Sequence, residues 1–129
     1  MVEVKVISKL EEKEEAAFNV LGQVSSTWAI PVILRLGYFE VLRYNQLKNT
    51  LKNVSSRSLS RTLSSLVSSG IVSREVRNGS PPRVFYSLTE RGTELAELLD
   101  SMSELGIKWN SSEPDSETIE VSVAGSPPA

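Results

Sequence analysis

Apolar positions recur along this chain at two different periods, and the switch between them marks its elements. Leu10, Ala17, Val20, Leu21 and Val24 are spaced as an amphipathic helical stripe, and Ser8 followed by Glu11 forms a capping-box pattern that would start that helix. A second helix is predicted over residues 27–36, starting near Trp28. Its Ile30, Val32, Ile33, Leu34 and Leu36 point to nearly every side, as in a helix at the centre of a core. Pro31 suits either its first turn or a kink, and Gly37 is expected to end it. Residues 38–42, with aromatic and β-branched side chains, suit a short strand. Residues 44–52 return to the helical period through Leu47 and Leu51, and Asn53 stands where a left-handed residue turns the corner. Ser55 then caps a further helix, Val54 staples onto Leu59, and Leu59, Leu63, Leu66 and Val67 form a buried stripe that Gly70 closes.

Beyond Gly70 the period becomes two. Val72, Arg74 and Val76 alternate with Ser73, Glu75 and Arg77. After an Asn-Gly-Ser-Pro-Pro turn, Val84, Tyr86 and Leu88 alternate with Arg83, Phe85 and Ser87. This is a hairpin with one face packed inward and Arg74, Arg77 and Arg83 gathered near its tip. Pro81 and Pro82 stiffen the loop and discourage edge pairing. Thr89 can cap a last helix carrying Leu95, Leu98, Leu99, Met102 and Leu105, with Trp109 beyond Gly106. From Asn110 onward Ser, Pro, Gly and acids dominate, so a disordered acidic tail is expected over residues 110–129. Residues 118–123 alternate like a strand but lack an evident partner. Helix, Asn-containing turn and capped helix, followed by a hairpin, make up a winged helix-turn-helix. The predicted class is therefore α+β, mainly α, with a two- or three-stranded wing sheet. One domain is expected over residues 1–109.

Charge sharpens this picture. The total is −2, but residues 43–91 hold nine basic residues against two acidic ones, a local balance of +7. Glu11, Glu12, Glu14 and Glu15 crowd the first helix, and Glu113, Asp115, Glu117 and Glu120 lie in the tail. Phosphate responds to the field within about 8 Å at physiological salt, so the middle segment can offer a basic face despite the acidic sum. On the helix after Asn53, the residues left outside the stripe include Ser56, Arg57, Ser60, Arg61, Ser64 and Ser68. Small hydroxyl side chains allow close approach to a duplex, and arginine can grip guanine bidentately or pair with phosphate. Ser55, Ser56, Arg57, Ser60, Arg61 and Ser64 on this helix, Arg77 and Arg83 on the wing, and Arg43 and Lys48 nearby are thus the expected double-stranded DNA contacts. A serine-rich helix face can also be merely solvated, and wing arginines can simply guard a sheet edge. The turn before the helix and the basic hairpin after it favour DNA contact over both.

Composition removes other chemistries. The sequence has no cysteine and no histidine, so thiolate nucleophiles, disulfides and the commonest metal ligand and general base are absent. Carboxylates such as Glu11 and Glu15 would have to carry any catalysis, and no Gly-rich phosphate loop or metal-spaced cluster accompanies them. No enzyme activity, cofactor or metal is expected. Nothing at the N-terminus resembles a secretory signal and no apolar run is long enough to span a bilayer, so a cytoplasmic protein without a membrane partner is expected. A winged-helix protein-interaction module, with the hairpin and acidic tail binding protein, stays open as a second reading.

The stretch from Trp28 to Trp109 resembles the HxlR-type winged-helix transcriptional regulators, relatives of the MarR group. The similarity lies in Trp28 with Ile33 to Gly37, in Arg43-Tyr44-Asn45-Gln46-Leu47, and in Val54-Ser55 with Leu59, Leu63, Leu66, Gly70, Ile71, Val72 and Arg74. Its most specific part is the run from Pro81 to Gly92, PPRVFYSLTERG. The resemblance implies a homodimer with paired recognition helices entering successive major grooves. Independently of it, the apolar stripe of the last helix exceeds what so small a core can cover, so the first and last helices are the candidate twofold interface, unless those leucines simply finish the monomer core. Twofold symmetry would also imply a roughly palindromic operator with half-sites about 10 base pairs apart or a multiple. A small-molecule effector is left open. Many members carry a cysteine near the N-terminus and this sequence has none, which puts a redox-sensing role in doubt.

Overall fold

How the helices end and join is decided by a few polar and glycine positions. The structure, a computed structural model, describes residues 3–112. Those residues form five helices and three strands, in the order α1 (Val4–Gln23), α2 (Ala29–Phe39), β1 (Val41–Arg43), α3 (Tyr44–Thr50), α4 (Ser56–Ser68), β2 (Val72–Arg77), β3 (Arg83–Leu88) and α5 (Glu90–Asn110). The strands make one antiparallel sheet ordered β1-β3-β2. The predicted mainly-α class with a three-stranded wing sheet is what the chain adopts.

By packing, the chain divides into the units Met1–Leu99 and Asp100–Ala129. In the first, one core gathers Val32, Ile33 and Leu36 of α2, Leu47 of α3, Leu59, Leu63 and Leu66 of α4, Ile71 and Val72, Tyr86 of β3, and Leu95, Ala96 and Leu99 of α5. Burying each of these large aliphatic side chains contributes about 1.5–3 kcal/mol, which is why the 3.6-residue stripes of α2 and α4 converge. In the second unit the described residues continue α5 and leave Met102, Leu105, Ile107 and Trp109 exposed. Among the described residues no helix is long and apolar enough to cross a membrane.

Several boundaries differ from the expectations. Helix α1 starts at Val4 with Glu3 as N-cap, so Ser8 and Glu11 lie inside it and form no cap. The three-residue spacing of Val4, Ile7 and Leu10 carries the stripe upstream of Ser8. Gly37 does not end α2; a Cβ there would make only ordinary contacts, 3.5 Å from Ala96 Cβ and 3.7 Å from Leu88 Cδ1. The helix runs on through Tyr38 and Phe39 until Glu40, at φ 71°, redirects the chain, and the strand is confined to Val41–Arg43. Pro31 occupies the first turn of α2, and its carbonyl accepts a hydrogen bond from Arg35 Nη1 at 3.2 Å. Helix α3 stops at Thr50, two residues short of the expected end. Helix α5 passes through Gly106 and includes Trp109. In the hairpin only Val72 of β2 is buried, and Val76 is exposed. The tail acids and the strand-like run at 118–123 lie outside the described residues.

Other local readings hold. Asn53 is left-handed at φ 64°, and Ser55 Oγ accepts from Ser58 N at 3.0 Å. Gly70, at φ 75°, closes α4 with its N–H on Val67 O (3.0 Å) and the Ile71 N–H on Leu66 O (2.9 Å), the paired bonds of a Schellman ending. Thr89 Oγ1 accepts from Gly92 N at 3.0 Å and so caps α5.

Gly92 sits where α5 begins against the Ile71 carbonyl. A Cβ at this position would lie 2.1 Å from Ile71 O, a backbone atom that cannot rotate away. Gly92→Ala should therefore destabilise the protein by at least the roughly 1–3 kcal/mol typical of overpacking. Gly22→Ala, where nothing lies within 4 Å, should leave stability unchanged or raise it. Chemical denaturation of both variants checks the pair; equal stability of Gly92→Ala and wild type would contradict the packing described.

Candidate nucleic-acid interface

Helix α4 is held at both ends and along one side. Ser55 caps its start, the Gly70 turn closes its end, and Leu59, Thr62, Leu63 and Leu66 bury its inner face. Tyr44, at the start of α3, donates its hydroxyl to Ser56 O at 3.1 Å and approaches Ser60 Oγ at 3.3 Å. Both helices of the helix-turn-helix are thereby fixed to each other as well as to the core. Ser56, Arg57, Ser60, Arg61 and Ser64 are all exposed on α4, and Ser55 is exposed at its cap. Among the described residues the side chains of Arg57 and Arg61 make no ion pair or hydrogen bond. Two unpaired guanidinium groups one helical turn apart, set among small hydroxyls, can donate to base edges or phosphate.

Strand register decides where the wing arginines go. Arg77 stands opposite Arg83, and Glu75 opposite Phe85, whereas Arg74 stands opposite Tyr86. Because side chains alternate faces, Arg77 and Arg83 share the face that carries Phe85, and Arg74 lies on the other, with buried Val72 and Tyr86. The expected trio at the tip is therefore a pair. Arg77 and Arg83 line a tip hollow of about 390 Å³ with the turn residues. The pairing of Arg43 with Phe85 puts Arg43 on this same outer face.

These cations are not equally available. Arg77 Nε donates to Glu75 Oε1 at 2.9 Å, and its guanidinium lies 4.1 Å from the Phe85 ring centroid. Both partners of that ion pair are more than half exposed, so the pair itself contributes little and can be exchanged for another anion. Arg83 makes no such contact among the described residues. Lys48 is half-buried in the last turn of α3. Arg91, part of the basic count, donates to Ser69 O at 3.1 Å, and Arg35 is committed to Thr50 O and Pro31 O. Two residues were not among the expected contacts: Tyr44, which orients the exposed serines, and Arg74, on the α4 side of the wing. The alternation along β2 already set Arg74 on the parity of Val72 and Tyr86, which was the available signal. No cluster of three or more potential metal ligands occurs among the described residues.

With this arrangement in view, comparison with known proteins is decisive. The family model for the HxlR-like helix-turn-helix matches residues 23–114. The chain belongs to the HxlR-like helix-turn-helix family of transcriptional regulators. Among its relatives, the HTH-type transcriptional regulator YdzF of Bacillus subtilis is 28% identical over 102 residues, which cover 78% of this chain and 94% of that protein. An HTH-type regulator of Synechocystis is 36% identical over 91 residues, covering 70% of this chain and 67% of the relative. Among solved structures, a MarR-family regulator of Enterococcus faecalis superposes with a TM-score of 0.72 at 27% identity, covering 77% of this chain and 89% of that one. The redox regulator HypR in its oxidised form gives 0.66 at 28% identity, covering 78% and 99%. The predicted HxlR membership and its MarR kinship are thus found.

The N-cap of α4 is the local feature on which the exposed row depends. Ser55→Ala should lower stability by about 1 kcal/mol, and Ser55→Asp, which restores an acceptor, should recover most of it. Unfolding in denaturant measures this; a Ser55→Ala midpoint equal to wild type would show that the hydroxyl does not support the helix.

Proposed function

We propose that this HxlR-family regulator binds double-stranded DNA sequence-specifically as a homodimer, with α4 in the major groove and the wing on the flanking backbone. One observation carries the reading: α4 exposes Arg57 and Arg61 among Ser56, Ser60 and Ser64, capped and anchored but without carboxylate partners among the described residues. A solvated structural helix has no need to hold unpaired guanidinium groups beside small residues that permit close approach. In this reading Arg57 and Arg61 read or brace the major groove, and Arg77 and Arg83 bind backbone from the wing. Arg43, Lys48 and Ser55 contribute at the periphery.

The dimer is supported by what α1 leaves uncovered. None of its 20 residues is buried, although Val4, Ile7, Leu10, Phe18 and Leu21 form an apolar side. In proteins most helical stability comes from packing an amphipathic face, and the apolar face of α1 has nothing covering it among the described residues. On α5, Leu98, Met102, Leu105 and Trp109 are likewise exposed. A second copy of the chain, presenting the same surfaces about a twofold axis, is the occupant we assign to both. One of the similar structures is a redox regulator; this sequence has no cysteine, so the proposal includes no thiol switch. A cytoplasmic location follows from the proposed access to chromosomal DNA. Any effector is a matter for ligand screening.

Selection of bound fragments from genomic DNA at fixed salt should recover a roughly palindromic sequence. On that duplex, Arg83→Ala should weaken binding to all sequences and flatten the salt slope by about one unit. Loss of a base-reading arginine on α4 should cost roughly 1–3 kcal/mol and relax preference at one position. Equal affinity of wild type and the fourfold alanine variant at Arg57, Arg61, Arg77 and Arg83 would reject the assignment. Phe18→Asp should convert the dimer to a folded monomer in sedimentation, and a wild type already monomeric at micromolar concentration would remove the proposed interface.

A further inference from the structure

We propose that the cleft between α4 and the root of the wing is a seat for one backbone phosphate of the bound duplex, held by Arg74. This rests on the DNA-binding reading above and adds to it a contact that the tip arginines cannot make. The cleft, about 320 Å³, has Leu63 and Tyr86 on its floor, and Ser60, Ser64 and Ser68 of α4 along one rim; Arg74 supplies the other. It contains one cation and no carboxylate. An anion is the ligand class such a lining selects.

Arg74 is placed there by the sheet. On β2 it shares the parity of Val72, which is buried, and it pairs with Tyr86, also buried, so its stem leaves the sheet on the side that faces the core. A guanidinium cannot follow those neighbours into an apolar interior without a partner. It is exposed instead, at the edge of the cleft, and among the described residues its side chain has no hydrogen bond or ion pair. Its five donors are therefore all available, in a fork that matches two oxygens of a phosphodiester. Arg77 differs on each count: it lies on the opposite face and is occupied by Glu75 and the Phe85 ring.

The hydroxyl rim is organised too. Tyr44 ties α3 to Ser56 O and Ser60 Oγ, so one serine of the rim is oriented before any ligand arrives. Arg74 lies three residues from Ile71, whose carbonyl accepts from Thr89 N at 3.0 Å and whose N–H bonds Leu66 O at 2.9 Å. The wing root is thus joined rigidly to the end of α4, whereas the tip is separated from it by the length of a strand. Pre-organisation of this kind lowers the ordering cost of binding. A phosphate held here would set how far α4 can slide or roll in the groove, since backbone contacts fix register while base contacts specify sequence.

The test uses the full chain and a duplex recovered by binding selection from genomic fragments, together with a series of the same duplex carrying one neutral methylphosphonate linkage at each position in turn. Wild type, Arg74→Ala, Arg74→Lys and Arg61→Ala are titrated across salt, with circular dichroism confirming that each is folded. Arg74→Ala should bind about ten- to a hundredfold more weakly, the loss of one charge-assisted hydrogen-bonded contact, with a salt slope shallower by about 0.9. One methylphosphonate position per half-site should weaken wild type and leave Arg74→Ala unaffected. Arg74→Lys should retain the slope and lose part of the affinity, because its ammonium lacks the fork. If Arg74→Ala is unfolded, Arg74→Gln enters the same comparison. Wild-type affinity and slope in Arg74→Ala, alongside weakened Arg61→Ala, overturns the phosphate seat and leaves the DNA-binding reading standing. Failure of wild type to retain any duplex overturns both.

Discussion

The carbonyl of Ile71 is the point through which α4, the wing and α5 constrain one another. It accepts the Thr89 N–H at 3.0 Å and lies 3.1 Å from Thr89 Oγ1, while Gly92 packs so closely that no side chain fits between. One residue earlier Gly70 closes the end of α4, and one residue later β2 begins. Thr89 in turn caps α5 through Gly92 N. The end of α4, the start of β2, the end of β3 and the start of α5 therefore meet at one hydrogen-bonded corner. The wing cannot rotate about the helix without breaking several of these bonds, each of which contributes about 0.5–1.5 kcal/mol.

From that rigidity follows the distribution of positive charge. The helix offers Arg57 and Arg61 outward, the wing root offers Arg74 on the helix side, and Arg77, Arg83 and Arg43 share the outer sheet face. These groups form no single patch; they lie on successive surfaces of one fixed corner. A duplex is a ligand whose charge is spread along two strands, and it can meet several separated cations at once where a compact anion cannot. The acidic total is no obstacle, because the glutamates of α1 and the tail acids all lie outside residues 43–91, whose own balance is +7. Among the basic residues of 43–91, Arg91 donates to the Ser69 carbonyl, so the count of cations overstates the number free to act.

Much of this was legible in the chain. Ser55, Asn53, Gly70 and Thr89 each work through a local rule, a cap or a left-handed φ, and each acts in the fold as that rule requires. The α4 stripe was readable for the same reason. Where a residue's local preference was not the one the fold used, the reading failed. Gly37 looks like a helix stop, but α2 runs on through Phe39 and the chain turns at Glu40 instead. Ser8 looks like a cap, yet the apolar period extends upstream to Val4 and the helix follows the period. Arg74 looked like a tip residue by proximity in sequence, although the alternation along β2 already set it on the opposite parity from Arg77, as the register with Tyr86 bears out. Of the candidate site, the row on α4 was therefore visible and its relation to the wing was not, since that relation is set at Ile71 by bonds between residues about 20 positions apart.

The central claim is that helix and wing engage the same duplex together. Hydroxyl-radical and dimethyl sulfate footprinting of wild type on a selected genomic duplex tests it most directly. Each half-site should show guanine N7 protection in a major groove from α4, flanked by a separate stretch of protected sugars from the wing, the whole pattern repeated about a twofold centre. Protection confined to the groove, with no flanking backbone footprint, would contradict the joint engagement of helix and wing.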